Sequence, residues 1–208
     1  MHTEEKLTAE TFPASPEKAT LEGKNKFIGF WLFLGGETVL FASLFATYLA
    51  LKNSNAGGPK TTEMFDMGLV FLATMLLLTS SLTSVYAMYH MKNFAFKKMQ
   101  VWLGITVLLG AGFLALEIYE FTHYIHEYGF TIQSSALGSA FYTLVGTHGA
   151  HVTFGLLWIL SLMIRNARRR GLSLYNAPKF FVASLYWHFI DVVWVFIFTV
   201  VYLMGMVG

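Results

Sequence analysis

Five apolar runs constrain this chain more than any other feature, at about Phe27–Leu51, Phe65–Met91, Met99–Tyr124, Ala136–Ile164 and Phe180–Val207. Each matches or exceeds the roughly 20 residues that a helix needs to cross a bilayer core. Charged residues are 12% of the chain against 55% hydrophobic, about half the charge of an average globular protein. The expectation is an all-α membrane protein, with a polar tail over 1–26 and a bundle of five transmembrane helices over 27–208. The short connectors predict that consecutive helices are antiparallel neighbours. No internal repeat or second domain is visible.

The formal charge of +2 is too small to point to nucleic acid, and its distribution says more. With five spans, the N-terminal tail shares a side with the second and fourth loops. That side holds twelve Lys and Arg, including Lys24, Lys26, Lys97, Lys98, Arg165 and Lys179, and the other side holds two, Lys52 and Lys60. The excess of positive charge predicts an N-terminus inside and a C-terminus outside. The tail has Pro13 and Pro16 and no apolar core of its own, so it reads as a cytoplasmic segment and not a signal peptide. Both order against a partner and disorder stay open for it. Asn53 to Pro59 is the clearest loop. Tyr48, Tyr124, Tyr128 and Tyr202 near one face, and Trp102 and Trp158 near the other, suit aromatic belts. The small-residue pairs Ala42/Ala46, Ser43/Thr47, Ala111/Ala115 and Gly146/Ala150 mark places where helices can approach closely.

Ionisable residues at membrane depth are costly unless they face protein or water, so each is a functional candidate. Glu37 lies about 15 Å into the first span, near the midplane. His148 and His151 fall near the middle of the fourth span and His188 and Asp191 near the middle of the fifth. An ionised, unpaired Glu37 would be expensive there, so it is either protonated or held by a histidine of the fourth or fifth helix. His188 and Asp191 stand three apart and share a helix face, which also allows a plain structural pair. Trp187, Asp191 and Trp194 line an adjoining face. Glu117, Glu120, His123 and His126 form a second polar group toward the outer end of the third span.

A metal centre is the rival chemistry. Glu120-Phe-Thr-His123 is a Glu-x-x-His element of the kind di-iron bundles use in duplicate. Here it occurs once, and Glu120 lies about 31 Å from the inner end of its helix against about 18 Å for Asp191. A bis-histidine haem between His148 or His151 and His188 is harder to set aside by depth, but Gly146, Gly149 and Ala150 predict close packing there. The chain has no cysteine, so thiolate ligands and disulfides are excluded. No phosphate loop or Gly-x-Ser-x-Gly elbow is present, and nothing resembles the broken helices of a transporter.

Three motifs carry a family resemblance: Trp31-Leu-Phe-Leu-Gly-Gly-Glu-Thr-Val-Leu-Phe41, Gly146-Thr-His-Gly-Ala-His-Val-Thr-Phe-Gly155 and Tyr186-Trp-His-Phe-Ile-Asp-Val-Val-Trp194. In this order they resemble subunit III of the haem-copper respiratory oxidases. The whole chain is similar to the short five-helix form of Gram-positive bacteria, which lacks two N-terminal helices of longer relatives. The resemblance implies a non-redox subunit in the bacterial cell membrane, with no cofactor or catalytic residue of its own. It implies direct packing on subunit I, subunits II and IV in the same complex, haem and copper in the partners, and support of proton uptake. Glu37 would occupy the family's buried carboxylate position, and His148, His151, His188 and Asp191 its polar helix contacts. The family's lipid cleft lies partly against the two missing helices, which puts lipid binding in that cleft in question. The cytochrome c branch is the closer match. A quinol oxidase subunit III and an autonomous membrane metal- or haem-binding protein are the alternatives.

Overall fold

The computed structural model describes residues 11–54, 65–169 and 172–207. Part of the loop after Ser54, Lys60 and the first ten residues of the tail lie outside the described residues. The secondary structure described is helical, and five helices are long and apolar enough to cross a membrane. They are α1 (Leu21–Leu51), α2 (Met67–Lys92), α3 (Phe96–Tyr128), α4 (Ala136–Arg169) and α5 (Ala177–Ile197). A π-helical turn, Phe198–Leu203, and a last helical turn, Met204–Val207, continue α5.

The helices run past the apolar runs because their ends are capped in polar sequence. The Thr20 hydroxyl accepts the Gly23 N–H at 3.0 Å, so α1 begins six residues before the apolar stretch. The Asp66 carboxylate accepts the N–H groups of Gly68 and Leu69 at 2.9 and 3.3 Å and starts α2. Such caps satisfy amide protons that a helix start leaves unpaired. At the end of α3, Gly129 turns left-handed (φ 59) and the Phe130 N–H returns to the Tyr124 carbonyl at 3.1 Å. Only glycine adopts that backbone without strain.

Helix α5 is the axis of the bundle and packs on α1, α2 and α4. Helices α2 and α3 form an extensively packed antiparallel hairpin, and α4 lies against α1, α3 and α5. One neighbour relation differs from the expectation. Helix α1 packs mainly on α4 and α5 and not on α2, its successor in the chain. The connector between them, residues 52–66, is long enough to carry the chain across an end of the bundle.

The close approaches also differ from those expected. Ala42, Ser43, Ala46, Thr47, Ala111, Ala115 and Ala150 face outward in the isolated chain. The helices meet instead at Gly110, Gly149 and Gly155. A Cβ on Gly110 would come within 2.7 Å of the Trp187 ring and 2.9 Å of Leu156. Bulky α5 side chains therefore decide which small residues are needed, and spacing alone does not. The aromatic belt is corrected for the same reason. Tyr48, Tyr124 and Tyr202 are buried in the bundle, while Tyr128 stays exposed and Trp102 stacks on Tyr86 at 5.0 Å.

Over its described residues the tail packs on the bundle. Phe12 and Pro16 are buried, Pro16–Lys18 forms one 3-10 turn against α1 and α5, and Phe12 packs on Phe94 in the α2–α3 turn at 5.0 Å.

Candidate functional site

Helix α5 is fastened to α2 by two indoles. Trp187 Nε1 donates to Ser80 Oγ at 2.9 Å, and Trp194 Nε1, two turns on, donates to Thr74 Oγ1 at 3.1 Å. The hydroxyl groups that receive them lie on the buried face of α2, which continues to Ser84, bonded to Ser184 of α5 at 2.8 Å. Hydrophobicity does not reveal these α2 hydroxyls, but Thr74, Ser80, Ser81 and Ser84 fall on one helical face, and that spacing was the available signal.

The polar residues predicted at membrane depth fall into separate groups. His188 Nδ1 bonds Ser81 Oγ at 2.7 Å, and its Nε2 lies 3.4 Å from Ser184 Oγ. His188 therefore does not pair with Asp191, although the two are three residues apart. Asp191 is 3% exposed and neither of its oxygens accepts a well-formed hydrogen bond, with Ser81 as its polar neighbour. A helix rotates 100° per residue, and here that is enough to send the imidazole to one hydroxyl and the carboxyl past it.

Glu37 and His151 do meet. Glu37 Oε2 lies 3.0 Å from His151 Nε2, across the α1–α4 seam. The other ring nitrogen, Nδ1, donates to the Thr147 carbonyl at 2.7 Å, and Phe41 covers the ring edge-on at 5.1 Å. The Tyr186 hydroxyl donates to the His151 carbonyl at 3.2 Å. Three helices thus hold one histidine.

Toward the α3 C-terminus, Glu120 accepts hydrogen bonds from the hydroxyls of Tyr124 and Tyr202, the latter at 3.0 Å. The two tyrosines expected in a belt are therefore partners of a buried carboxyl, a role the i, i+4 spacing of Glu120 and Tyr124 could have suggested. Glu117, one turn deeper, is 5% exposed and has no hydrogen bond at either oxygen. Its carboxyl fills the space where a Cβ on Gly149 would stand, 2.7 to 3.0 Å from that position. His148 has no hydrogen bond at either nitrogen and stacks on Trp194 at 5.2 Å, with Phe113 edge-on at 5.9 Å. His123 lies apart, stacked on Tyr119 at 6.2 Å, and His126 Nδ1 donates to the Thr122 carbonyl at 2.8 Å.

Among the described residues, no three His, Asp or Glu side chains converge in a way that could hold a metal ion. The two members of the Glu-x-x-His element serve different contacts. Of the histidines considered for haem, His151 is bonded to Glu37 and His188 to Ser81, while His148 has no hydrogen bond at either nitrogen.

The chain matches cytochrome c oxidase subunit III over residues 8–206. It is 85% identical to cytochrome c oxidase subunit 3 of Bacillus subtilis (strain 168), covering all of both chains. It is 81% identical to the protein of the same name from Bacillus sp. (strain PS3), again over the full length of both. Quinol oxidase subunit 3 of Bacillus subtilis is 50% identical over 89% of this chain and 90% of its own. With relatives matched from end to end and five membrane-crossing helices, this multi-pass membrane chain belongs to the cytochrome c oxidase subunit III family.

Proposed function

We propose that the chain is the non-redox third subunit of a proton-pumping terminal oxidase, which passes electrons from cytochrome c to oxygen. It packs directly on subunit I, shares the complex with subunits II and IV, contacts membrane lipid, and supports proton uptake by subunit I. Haem and copper are held by the partner subunits. Its N-terminal tail lies in the cytoplasm and its C-terminus outside.

The observation that carries this reading is the full-length 85% identity to a cytochrome c oxidase subunit 3, against 50% to a quinol oxidase subunit 3. Two features of the chain support it. The deep ionisable groups are spread over helix contacts and are not gathered into a ligand set. Helix α1 leaves most of its surface uncovered by the rest of the chain. The excess of Lys and Arg on the tail side supports the orientation.

The test is purification from the native membrane in mild detergent. The expected result is recovery with subunits I and II, oxidation of reduced cytochrome c by the complex, and no stoichiometric iron, copper or zinc in the separated chain. Recovery as a free protein with a bound metal overturns the reading, and a complex that oxidises only quinol assigns it to the other branch. A reporter fused after Gly208 is expected to be active only outside, and one at Arg169 only inside.

A further inference from the structure

The carboxyl of Glu37 is only half satisfied. Its Oε2 is bonded to His151 Nε2 at 3.0 Å, while Oε1 accepts no hydrogen bond from the described residues. Nor is Oε1 sealed inside the chain: the side chains of Glu37 and His151 keep 16% and 20% of their surface open. The other deep ionisable groups without a hydrogen bond, Glu117, His148 and Asp191, are at most 5% exposed and enclosed by the chain's own helices. Nothing from outside reaches them. His188 has a hydroxyl beside each ring nitrogen, Ser81 at 2.7 Å and Ser184 at 3.4 Å. Among the described residues, Glu37 is therefore the deep group whose unmet hydrogen-bonding capacity is open to a neighbour.

The depth makes that opening costly. Glu37 lies about 21 Å from the nearer end of α1, and His151 about 22 Å from that of α4, so both stand near the midplane. Hydrocarbon offers no donor there, and polar groups at that level face protein or water.

The chemistry of the missing neighbour follows from the pair. His151 Nδ1 donates to the Thr147 carbonyl, so the bond at Nε2 is either O–H to bare nitrogen or N–H to carboxylate. Oε1 is an acceptor in both forms. The pair is neutral in both forms as well, so a Lys or Arg brought against it would carry an uncompensated charge to the midplane. The neighbour is a neutral donor.

The surface around the pair suits a helix. Gly36 and Ala150, each next in sequence to a member of the pair, face outward, and a Cβ on Gly36 would meet nothing within 4 Å. Small residues at that level let a second helix come close. Phe33, one turn before Glu37, and Phe154, three residues after His151, add exposed apolar surface. The Phe154 ring lies 5.7 Å from that of Tyr186, whose hydroxyl bonds the His151 carbonyl. A helix carrying one neutral donor complements this arrangement. A lipid chain, with no donor along its length, leaves Oε1 unpaired.

We propose that the α1–α4 seam, at the level of Glu37 and His151, docks a membrane-crossing helix of another oxidase subunit that donates a hydrogen bond to Glu37 Oε1 from a hydroxyl, amide or indole side chain. The proposal rests on the reading of the chain as an oxidase subunit and adds the face and the chemistry of the contact.

The experiment uses the assembled oxidase in its native membrane. The photoreactive residue p-benzoylphenylalanine replaces Phe33 or Phe154, whose shape it extends least, and mass spectrometry identifies what each probe labels on irradiation. Both are expected to label one membrane-crossing segment of another subunit, with Ser, Thr, Asn, Gln, Tyr or Trp at mid-height. The same probe at Phe71, exposed on α2, should not label that segment. Replacing the identified donor by an apolar residue of similar shape should then shift the infrared carbonyl or carboxylate stretch of Glu37, assigned by its loss in Glu37→Gln. A replacement one turn away on the same segment should leave the band in place. Adducts with lipid alone, with a second copy of this chain or with a segment lacking a neutral donor overturn the proposal, and so does a band that ignores removal of the donor. Co-purification with subunits I and II, scored on the chain without probes, tests the functional assignment. A chain that co-purifies yet labels only lipid at the seam overturns this proposal and leaves that assignment standing.

Discussion

Glu37 Oε2 and His151 Nε2 stand 3.0 Å apart and form one hydrogen bond across the α1–α4 seam. The Thr147 carbonyl, 2.7 Å from Nδ1, can only accept, so Nδ1 carries a hydrogen whatever the state of the ring. With a neutral ring, Nε2 is an acceptor and Glu37 must supply the proton. With a charged ring, Nε2–H donates to a carboxylate. The pair is electrically neutral in both forms, which is how two ionisable groups are tolerated at this depth.

That geometry separates two substitutions. In Glu37→Gln the amide N–H₂ can still donate to a neutral Nε2, so assembly and oxygen consumption are expected to stay within about twofold of wild type. Glu37→Ala leaves a cavity and an unpaired nitrogen, at a cost on the order of 1–3 kcal/mol in stability. Oxygen-consumption rates and thermal inactivation of the two complexes are the measurements. A several-fold loss of turnover in a normally assembled Gln variant would put Glu37 on the route of pumped protons.

Gly110 is the contact at which α3 approaches α4 and α5. An added methyl would stand 2.7 to 2.9 Å from Trp187 and Leu156 side-chain atoms, closer than packed carbons come. Both neighbours sit in the core, and the indole is also tied to Ser80. Gly110→Ala should therefore cost about 1–3 kcal/mol, the usual range for overpacking. Gly112→Ala, where the new methyl would meet Leu76 at an ordinary 3.5 Å, should be close to neutral apart from a gain in helix propensity. Equal melting temperatures for the two variants would contradict this assignment of the close approach.

The Trp187–Ser80 contact can be measured on its own. Single and double variants Trp187→Phe and Ser80→Ala form a cycle whose coupling should be about 0.6 kcal/mol, the average for interhelical hydrogen bonds in membrane protein. Zero coupling would mean that the indole serves by packing alone.

Length and polarity made the five helices readable, because hydrocarbon thickness sets a minimum run that few soluble helices reach. The polar residues were readable for a related reason: at that depth each one stands out. Their partners were much less so. Glu37 was expected to be either protonated or held by a histidine of the fourth or fifth span, and nothing in the spacing chooses His151 over His148 or His188. His188 and Asp191 looked like a pair by spacing, yet the α2 hydroxyls, silent in hydropathy, take the imidazole. Tyr124 and Tyr202 illustrate the opposite failure, since an aromatic residue near a span end suits a belt and a buried hydrogen bond equally well. The small-residue pairs misled because spacing does not say which large side chain will face them.

The described part of the tail, residues 11–20, yields a last prediction. Phe94 closes the α2–α3 turn with φ 54, a left-handed conformation that is rare for a bulky residue and costs about 1–2 kcal/mol. Its ring packs against Phe12, brought there by the turn Pro16–Lys18, and Lys18 is itself held over the Phe27 ring at 4.4 Å. The aromatic contact is thus bought at the expense of the backbone. Phe94→Gly removes the backbone cost and the ring together, so the turn should survive while residues 11–20 come loose. Phe12→Ala removes only the ring contact and should loosen the same residues. Trypsin cleavage after Lys18, followed by mass spectrometry of the intact complex, reads this directly. Both variants should be cut several-fold faster than wild type, and the double variant no faster than either, because one contact is being removed twice. Wild-type cleavage in both would show that the tail is held by Pro16 and Glu17 against α1 and α5, and that the Phe12–Phe94 contact contributes nothing.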